Sequence, residues 1–211
     1  MGKYKLWAML AAVVVVAVGG AYLYWDTQVR WRPQTITKHQ VEIAQILERS
    51  GWISNKGTRG KLYMISFRSC SDCINFKTEE FPKLKKAGVD IREIVVARRD
   101  VNGLSNSTAA ERATVAELWI NRDSALMDRW MAVNPAAWAA PGVPPADGDI
   151  ARTAVVEASR TMVDDLTPLL KDNGISFAYP TLIWWTVDGE MHGCACEKPQ
   201  MYKFVRKELG V

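Results

Sequence analysis

Cys70-Ser71-Asp72-Cys73 places two thiols two residues apart, directly behind the apolar run Leu62-Tyr63-Met64-Ile65-Ser66-Phe67. A sulfur at the seam between a strand and a helix lies near unpaired backbone N–H groups and the positive end of the helix dipole. Both favour thiolate over thiol, and the thiolate is the form that attacks disulfides. A second cysteine one turn on faces the same way and can close the disulfide that releases a bound partner. The pattern predicts a dithiol redox centre. An inert buried pair, or half of a zinc site, has the same spacing.

A second pair stands in Gly193-Cys194-Ala195-Cys196. Two residues apart in an extended chain is ~6.6–7 Å between Cα atoms, whereas a disulfide prefers about 5.5–6 Å. A Cys194–Cys196 bond therefore needs a bent backbone, and strained bonds are the exchange-active ones. Three readings follow. The pair is a second redox pair that relays electrons to or from Cys70–Cys73, or a staple of its loop, or part of a metal site. In the third, CxxC plus CxC supply thiolates for zinc or an iron–sulfur centre, with Met191 and His192 adding ligands suited to copper. That reading makes the chain a metal carrier and not an oxidoreductase. His192 is expected at a solvent-facing strand end and His39 on a helix surface, neither with a role.

These residues need a scaffold. The 211-residue length suits one domain with a proper core, plus an N-terminal segment. The net charge of +4 is modest and both signs alternate along the chain, which excludes a nucleic-acid footprint. The cysteines are too few for a disulfide scaffold. Leu6 to Trp25 carries no charge and follows Lys3 and Lys5; its length suits a ~30 Å hydrocarbon core, and Tyr22, Tyr24 and Trp25 mark its far end. Residues 1–25 are thus expected to form an uncleaved membrane anchor with a cytoplasmic N-terminus, the alternative being a signal peptide cleaved near Ala17-Val18-Gly19. Either way the rest of the chain is exported, where disulfides form.

Residues 26–59 are expected to hold a juxtamembrane linker and an amphipathic helix over Thr37 to Ser50 stopped by Gly51. Turns at Asn55-Lys56-Gly57 and Arg59-Gly60 lead into the Leu62–Phe67 strand. A helix should run from Cys70 towards Lys86, with Pro82 a kink or a restart, and Gly88 should end it. A strand over Val89 to Val96 follows. Residues 101–173 read as a helical insertion: one helix capped at Ser107, one over Asp123 to Val133, a Pro/Ala/Gly loop, and a long helix from Asp149 through Asp165 with a fresh turn at Thr167-Pro168. Then come a strand from Thr181, a hairpin at Asp188-Gly189, a return over Glu190 to Gly193, and a closing helix from Pro199 to Leu209. The expected fold class is α/β, a thioredoxin-like domain over 60–211 with a helical insertion, preceded by one transmembrane helix.

Three stretches carry a resemblance: Phe67 to Cys73, Gly174-Ile175-Ser176 before Tyr179-Pro180, and Asp188-Gly189 leading to Lys198-Pro199-Gln200-Met201. Together with Ala109 to Met131, they resemble the catalytic domain of the periplasmic disulfide isomerases DsbC and DsbG. The resemblance implies a thioredoxin fold and thiol–disulfide exchange on exported protein thiols and disulfides, with no cofactor. It also implies a membrane thiol reductase as electron donor. The chain would be a single-pass protein of the bacterial inner membrane, with its catalytic domain in the periplasm. Carried over, Cys70 is the attacking thiol and Cys73 the resolving one. Pro180 is the cis-proline facing them, and Tyr179 exposes backbone to a substrate strand. An ordinary trans-proline opening an edge strand is the alternative at Pro180. The chain departs from that family in three ways. The linker is too short for the family's dimerisation module, the insertion lacks its structural disulfide, and Tyr179 stands where a small hydroxyl residue is usual. Asp72 opposes thiolate formation at Cys70, while Arg68 and the helix terminus favour it.

Overall fold

A computed structural model describes residues 2–211; Met1, the first residue of the expected anchor, lies outside them. The chain divides into two compact units, one ending at Arg32 and one running Pro33–Val211. The first is a helix, α1 (Gly2–Tyr24), continued by a π-helical turn over Trp25–Val29. Trp7–Val29 has mean hydropathy 2.0 and is long and apolar enough to cross a membrane.

The second unit contains, in order, β1 (Gln34–Thr35), α2 (Gln40–Arg49), β2 (Trp52–Ser54), β3 (Arg59–Ser66), α3 (Ser71–Lys86) and β4 (Val89–Val95). Then come α4 (Ala109–Asn121), α5 (Ser124–Ala132), α6 (Ile150–Lys171), β5 (Thr181–Trp185), β6 (Met191–Ala195) and α7 (Pro199–Glu208). The six strands form one sheet in the order β1-β6-β5-β3-β4-β2. Only β3 and β4 run parallel, joined across α3; every other neighbour is antiparallel. This is a thioredoxin-like fold, with α4 to α6 inserted between β4 and β5.

The period-two alternation of the central strands sorts their side chains to two faces. Leu62 and Met64 of β3 and Leu182 and Trp184 of β5 join Phe76 and Leu84 of α3 and Tyr202 and Val205 of α7 in one apolar layer. Tyr63, Ile65 and Ile183 point the other way, onto Ile43 and Leu47 of α2 and Leu166 and Leu170 of α6. A third cluster, around Trp130 and Leu118, holds the insertion against Val95 and Ile53. On the first face Glu80 of α3, 2% exposed, is bound by Arg206 of α7 at 2.6 Å and Lys83 at 2.9 Å. Burying that carboxylate requires both partners, because an unpaired buried charge is costly.

Several expectations need correction. The domain begins at Pro33 and not at residue 60: Ile36, Ile43 and Leu47 of the expected linker and helix are fully buried core residues. Arg59-Gly60 belongs to β3, with a register shift there, and is no turn. α2 starts at Gln40 and not at Thr37, and it ends as expected just before Gly51, with Ser50 its C-cap; a Cβ at Gly51 would run into Trp119. Thr108 and not Ser107 caps α4, in a capping box with Glu111; Ser107 instead gives its hydroxyl to the Arg98 carbonyl. α6 runs unbroken through Thr167-Pro168. α3 likewise accommodates Pro82 as one helix.

Candidate active site

Cys70 occupies the N-cap of α3 in an extended conformation, and its Sγ accepts the Cys73 backbone N–H at 3.0 Å. The Cys70–Cys73 disulfide spans 5.2 Å between Cα atoms, well inside the normal window. The sulfur that would become a thiolate thus already receives a helix N-terminal donor, the arrangement that favours the anion. Cys70 is 4% exposed, between exposed Ser69 and Ser71, while Cys73 is 2% exposed on the inner side of α3 with Phe76.

The segment before β5 reaches the disulfide through Phe67. Its Tyr179–Pro180 peptide bond is cis. The Tyr179 ring packs edge-on against Phe67 at 4.9 Å and Phe177 at 5.2 Å. Phe67 in turn accepts the Cys70 N–H through its carbonyl at 3.3 Å. One chain of contacts therefore joins the proline loop to the disulfide. Burial pushes the Tyr179 phenol up to about 12, with Arg98 pulling against it.

Arg68 is placed differently from its expected role beside the thiol. Its guanidinium donates to the carbonyls of Trp130, at 3.0 Å, and Val133, and lies over the Trp130 ring. Burial holds its pKa below the usual arginine value. Arg68 thus ties the CxxC strand to α5. Asp72 sits in the first turn of α3, partly exposed.

Arg98 was not singled out by the sequence. It stacks over Phe67 at 4.1 Å and, with Tyr179, Val101, Asn106 and Val163, lines a cleft of about 320 Å³. Its position in Arg98-Arg99-Asp100, just past an apolar strand, gave no signal.

The second pair is a disulfide, with Cα atoms 5.2 Å apart. It does not sit in a turn after the strand. β6 extends through Ala195, so Cys194 is a strand residue paired with Leu182, and Cys196 directly follows. The Cys196 N–H donates to the Pro180 carbonyl at 2.8 Å, and Glu197 N–H turns back to Ala195 at 3.0 Å. His192 is not a free strand-end residue: it bonds Glu208 at 2.7 Å and Thr35 at 3.1 Å. His39 pairs with Asp172 at 3.1 Å. Among the described residues no three His, Cys, Asp or Glu side chains converge as a metal site would need. The four-thiolate reading thus has no gathered ligand set, with His192 committed to Glu208 and Thr35.

No family model matches the chain, and no curated protein matches it. Solved structures do. The crystal structure of BcfH from Salmonella enterica Typhimurium aligns at TM-score 0.51 and 14% identity, over 99% of this chain and 94% of that one. Oxidised BdbD from Bacillus subtilis aligns at 0.42 and 14%, over 78% and 95%. DsbA from Chlamydia trachomatis aligns at 0.38 and 17%, over 76% and 88%. The first likeness runs almost end to end, and it speaks for a shared fold.

Proposed function

We propose that this chain is a thiol–disulfide oxidoreductase of the reductase/isomerase type, acting through Cys70 and Cys73 on the thiols and disulfides of exported proteins. The observation that carries the reading is the Cys70 Sγ held at the start of α3 by the Cys73 N–H, with Phe67 linking Cys70 to the Tyr179-Pro180 loop. A substrate strand pairs with the backbone at Tyr179, which brings its sulfur to Cys70. The Cys70 thiolate attacks the substrate disulfide, one substrate sulfur leaves as a thiol, and Cys73 then displaces the other while closing Cys70–Cys73. A membrane thiol reductase resets the pair. No cofactor is needed, because the two thiols carry both electrons.

The reductase/isomerase direction rests on the DsbC/DsbG-like motifs and on Asp72 inside the CxxC, which disfavours the thiolate that a strong oxidant stabilises. The apolar stretch Trp7–Val29 supports a single-pass anchor in the bacterial inner membrane, with the domain in the periplasm. The test is the reduction potential of Cys70–Cys73 against glutathione, together with turnover on a disulfide-bonded substrate. A potential near that of thioredoxin, about −270 mV, with disulfide reduction lost in Cys70→Ser, is the expected result. A potential near about −120 mV reverses the direction of electron flow and overturns the reductase reading.

A further inference from the structure

The proposed reaction uses one disulfide, and the molecule has two in the same apolar layer. Cys70, Cys73, Cys194 and Cys196 all belong to the cluster formed by Leu62, Met64, Leu182, Tyr202 and their neighbours. The sheet register accounts for this. Met64, Leu182 and Cys194 form one cross-strand row over β3, β5 and β6, so Cys194 faces the side that α3 covers. Cys196 has the same facing and meets Pro180 through its N–H. Gly193, the residue before Cys194, faces the other way, against Ile36 and Ile175 of the opposite layer. β3 and β6 are two strand spacings apart, about 10 Å, with only β5 and its leading Pro180 between them.

Burial is the second observation. Cys194 is 3% exposed and Cys196 has no exposed surface. Cys70 is as little exposed, at 4%, but it stands at a helix start between exposed serines, whereas Cys194 lies within β6 between buried Gly193 and half-buried Ala195, so a thiol from outside meets Cys70 first. A staple would need no place in the redox centre's own apolar layer, and it closes a loop so short that it restrains little of the unfolded chain.

We propose that Cys194–Cys196 is an internal redox centre that exchanges only with Cys70–Cys73, giving each chain a capacity of four electrons. The inference rests on the proposed chemistry at Cys70. In the reducing sense, a first substrate dithiol is oxidised to its disulfide, and Cys70–Cys73 takes its two electrons and two protons. The Cys70 thiolate then attacks one sulfur of Cys194–Cys196, and the other leaves as a thiol. Cys73 attacks Cys70 in that mixed disulfide, restoring Cys70–Cys73 and releasing the second thiol. The centre can then oxidise a second substrate dithiol. Run backwards from the fully reduced chain, the same steps pass four electrons out and reduce two substrate disulfides in turn. The segment that must move is Cys196 to Lys198, whose tie to the proline loop is the Cys196–Pro180 hydrogen bond.

The experiment is an anaerobic titration of the oxidised full chain with excess of a reduced peptide carrying two cysteines, read by alkylation and mass spectrometry. The expected result is two peptide disulfides per wild-type chain and one for Cys194→Ala/Cys196→Ala. Cys70→Ala/Cys73→Ala should give none, with its Cys194–Cys196 bond intact. One disulfide from wild type, with Cys194–Cys196 still oxidised, overturns the inference and makes the pair a staple. Reduction of that pair in Cys70→Ala/Cys73→Ala overturns its dependence on Cys70. A wild type that oxidises no peptide removes the proposed reaction itself, a separate outcome. Because deleting the second pair can unfold the core, Cys73→Ser/Cys196→Ser and Cys73→Ser/Cys194→Ser provide an independent check. Mild oxidation should join Cys70 to the remaining partner cysteine in at least one of them. No such bond in either folded variant overturns the inference.

Discussion

The guanidinium of Arg98 lies 4.1 Å from the centre of the Phe67 ring, and among the described residues no carboxylate pairs with it. Its Nε is buried without a hydrogen-bond partner. Its neighbours in the cleft are paired: Arg99 with Glu157 and Asp164, Arg160 with Glu157. A cation left open beside Tyr179 fits an acidic side chain near the substrate's cysteine. Arg98→Ala should lower kcat/KM for a peptide with such an acidic residue by about tenfold, the scale of a charge-assisted contact of ~1.4 kcal/mol. Arg98→Lys should keep part of it, and rising salt should erase the preference. Equal loss on acidic and neutral peptides would assign Arg98 to packing on Phe67 alone.

The order of attack follows from Cys70 accepting the Cys73 N–H. In the reduced protein near neutral pH, Cys70 should be alkylated much faster than Cys73. Cys73→Ser should accumulate a mixed disulfide between Cys70 and substrate, and Cys70→Ser should not. Mass mapping after timed alkylation decides it. Faster labelling of Cys73 would exchange the two roles.

Much of this site was legible because its signals are local. The CxxC behind an apolar strand, the Tyr-Pro before a second strand and the Asp-Gly hairpin each declare themselves within a few residues. What escaped depends on the fold. β1 and β2, at two and three residues, are too short for period-two alternation to show. Pro168 marks a helix start in isolation, yet α6 carries it because packing of Leu166 and Leu170 outweighs one lost bond. Arg68 was expected beside the thiol from sequence adjacency, but a side chain two residues before Cys70 projects to the insertion's carbonyls. Arg98 lies far from Cys70 in sequence and is joined to it through Phe67.

Alkaline pH should weaken the fold through Tyr202. This phenol is 1% exposed and has no hydrogen-bond partner. Burial, helped by Glu79, Asp72 and Glu80, raises it from 10.0 to about 12. The folded state therefore holds the proton more tightly than the unfolded chain. The stability this contributes is fully present below pH 10.0 and is lost as pH rises towards about 12, at up to about 1.4 kcal/mol per pH unit. Denaturant melts between pH 9 and 11 should show the decline, and Tyr202→Phe should make it shallower, leaving the share of Tyr179, which burial also raises. At pH 7 that variant should be neutral or stabilising, since it removes an unpaired hydroxyl. An unchanged slope would detach the effect from Tyr202.

The buried Glu80 predicts how α7 is held to α3. Arg206→Met removes its nearest cation and leaves Lys83, whose side chain is half exposed. The loss should be about 1–3 kcal/mol, below the 3–5 kcal/mol for stranding a buried charge altogether. Glu80→Gln/Arg206→Met should recover part of it, because the double change leaves no unpaired ion. Urea melts of the two variants compare directly. A double variant less stable than Arg206→Met would show that Glu80 is held mainly by Lys83.

The division of the chain at Arg32 and Pro33 makes a prediction about the membrane. The apolar stretch Trp7–Val29 lies wholly in the first unit, and every core cluster lies in the second. A chain starting at Pro33 should therefore be soluble and keep the melting temperature of the full domain, since no core residue is removed. The full chain should stay in the membrane fraction through alkaline carbonate washing, with its first residues retained. After mild reduction, a membrane-impermeant thiol reagent added to spheroplasts should label Cys70. A mature N-terminus near Gly20 would show a cleaved leader and a soluble product. Labelling only after lysis would place the domain on the cytoplasmic side, where reducing conditions would keep both pairs as thiols.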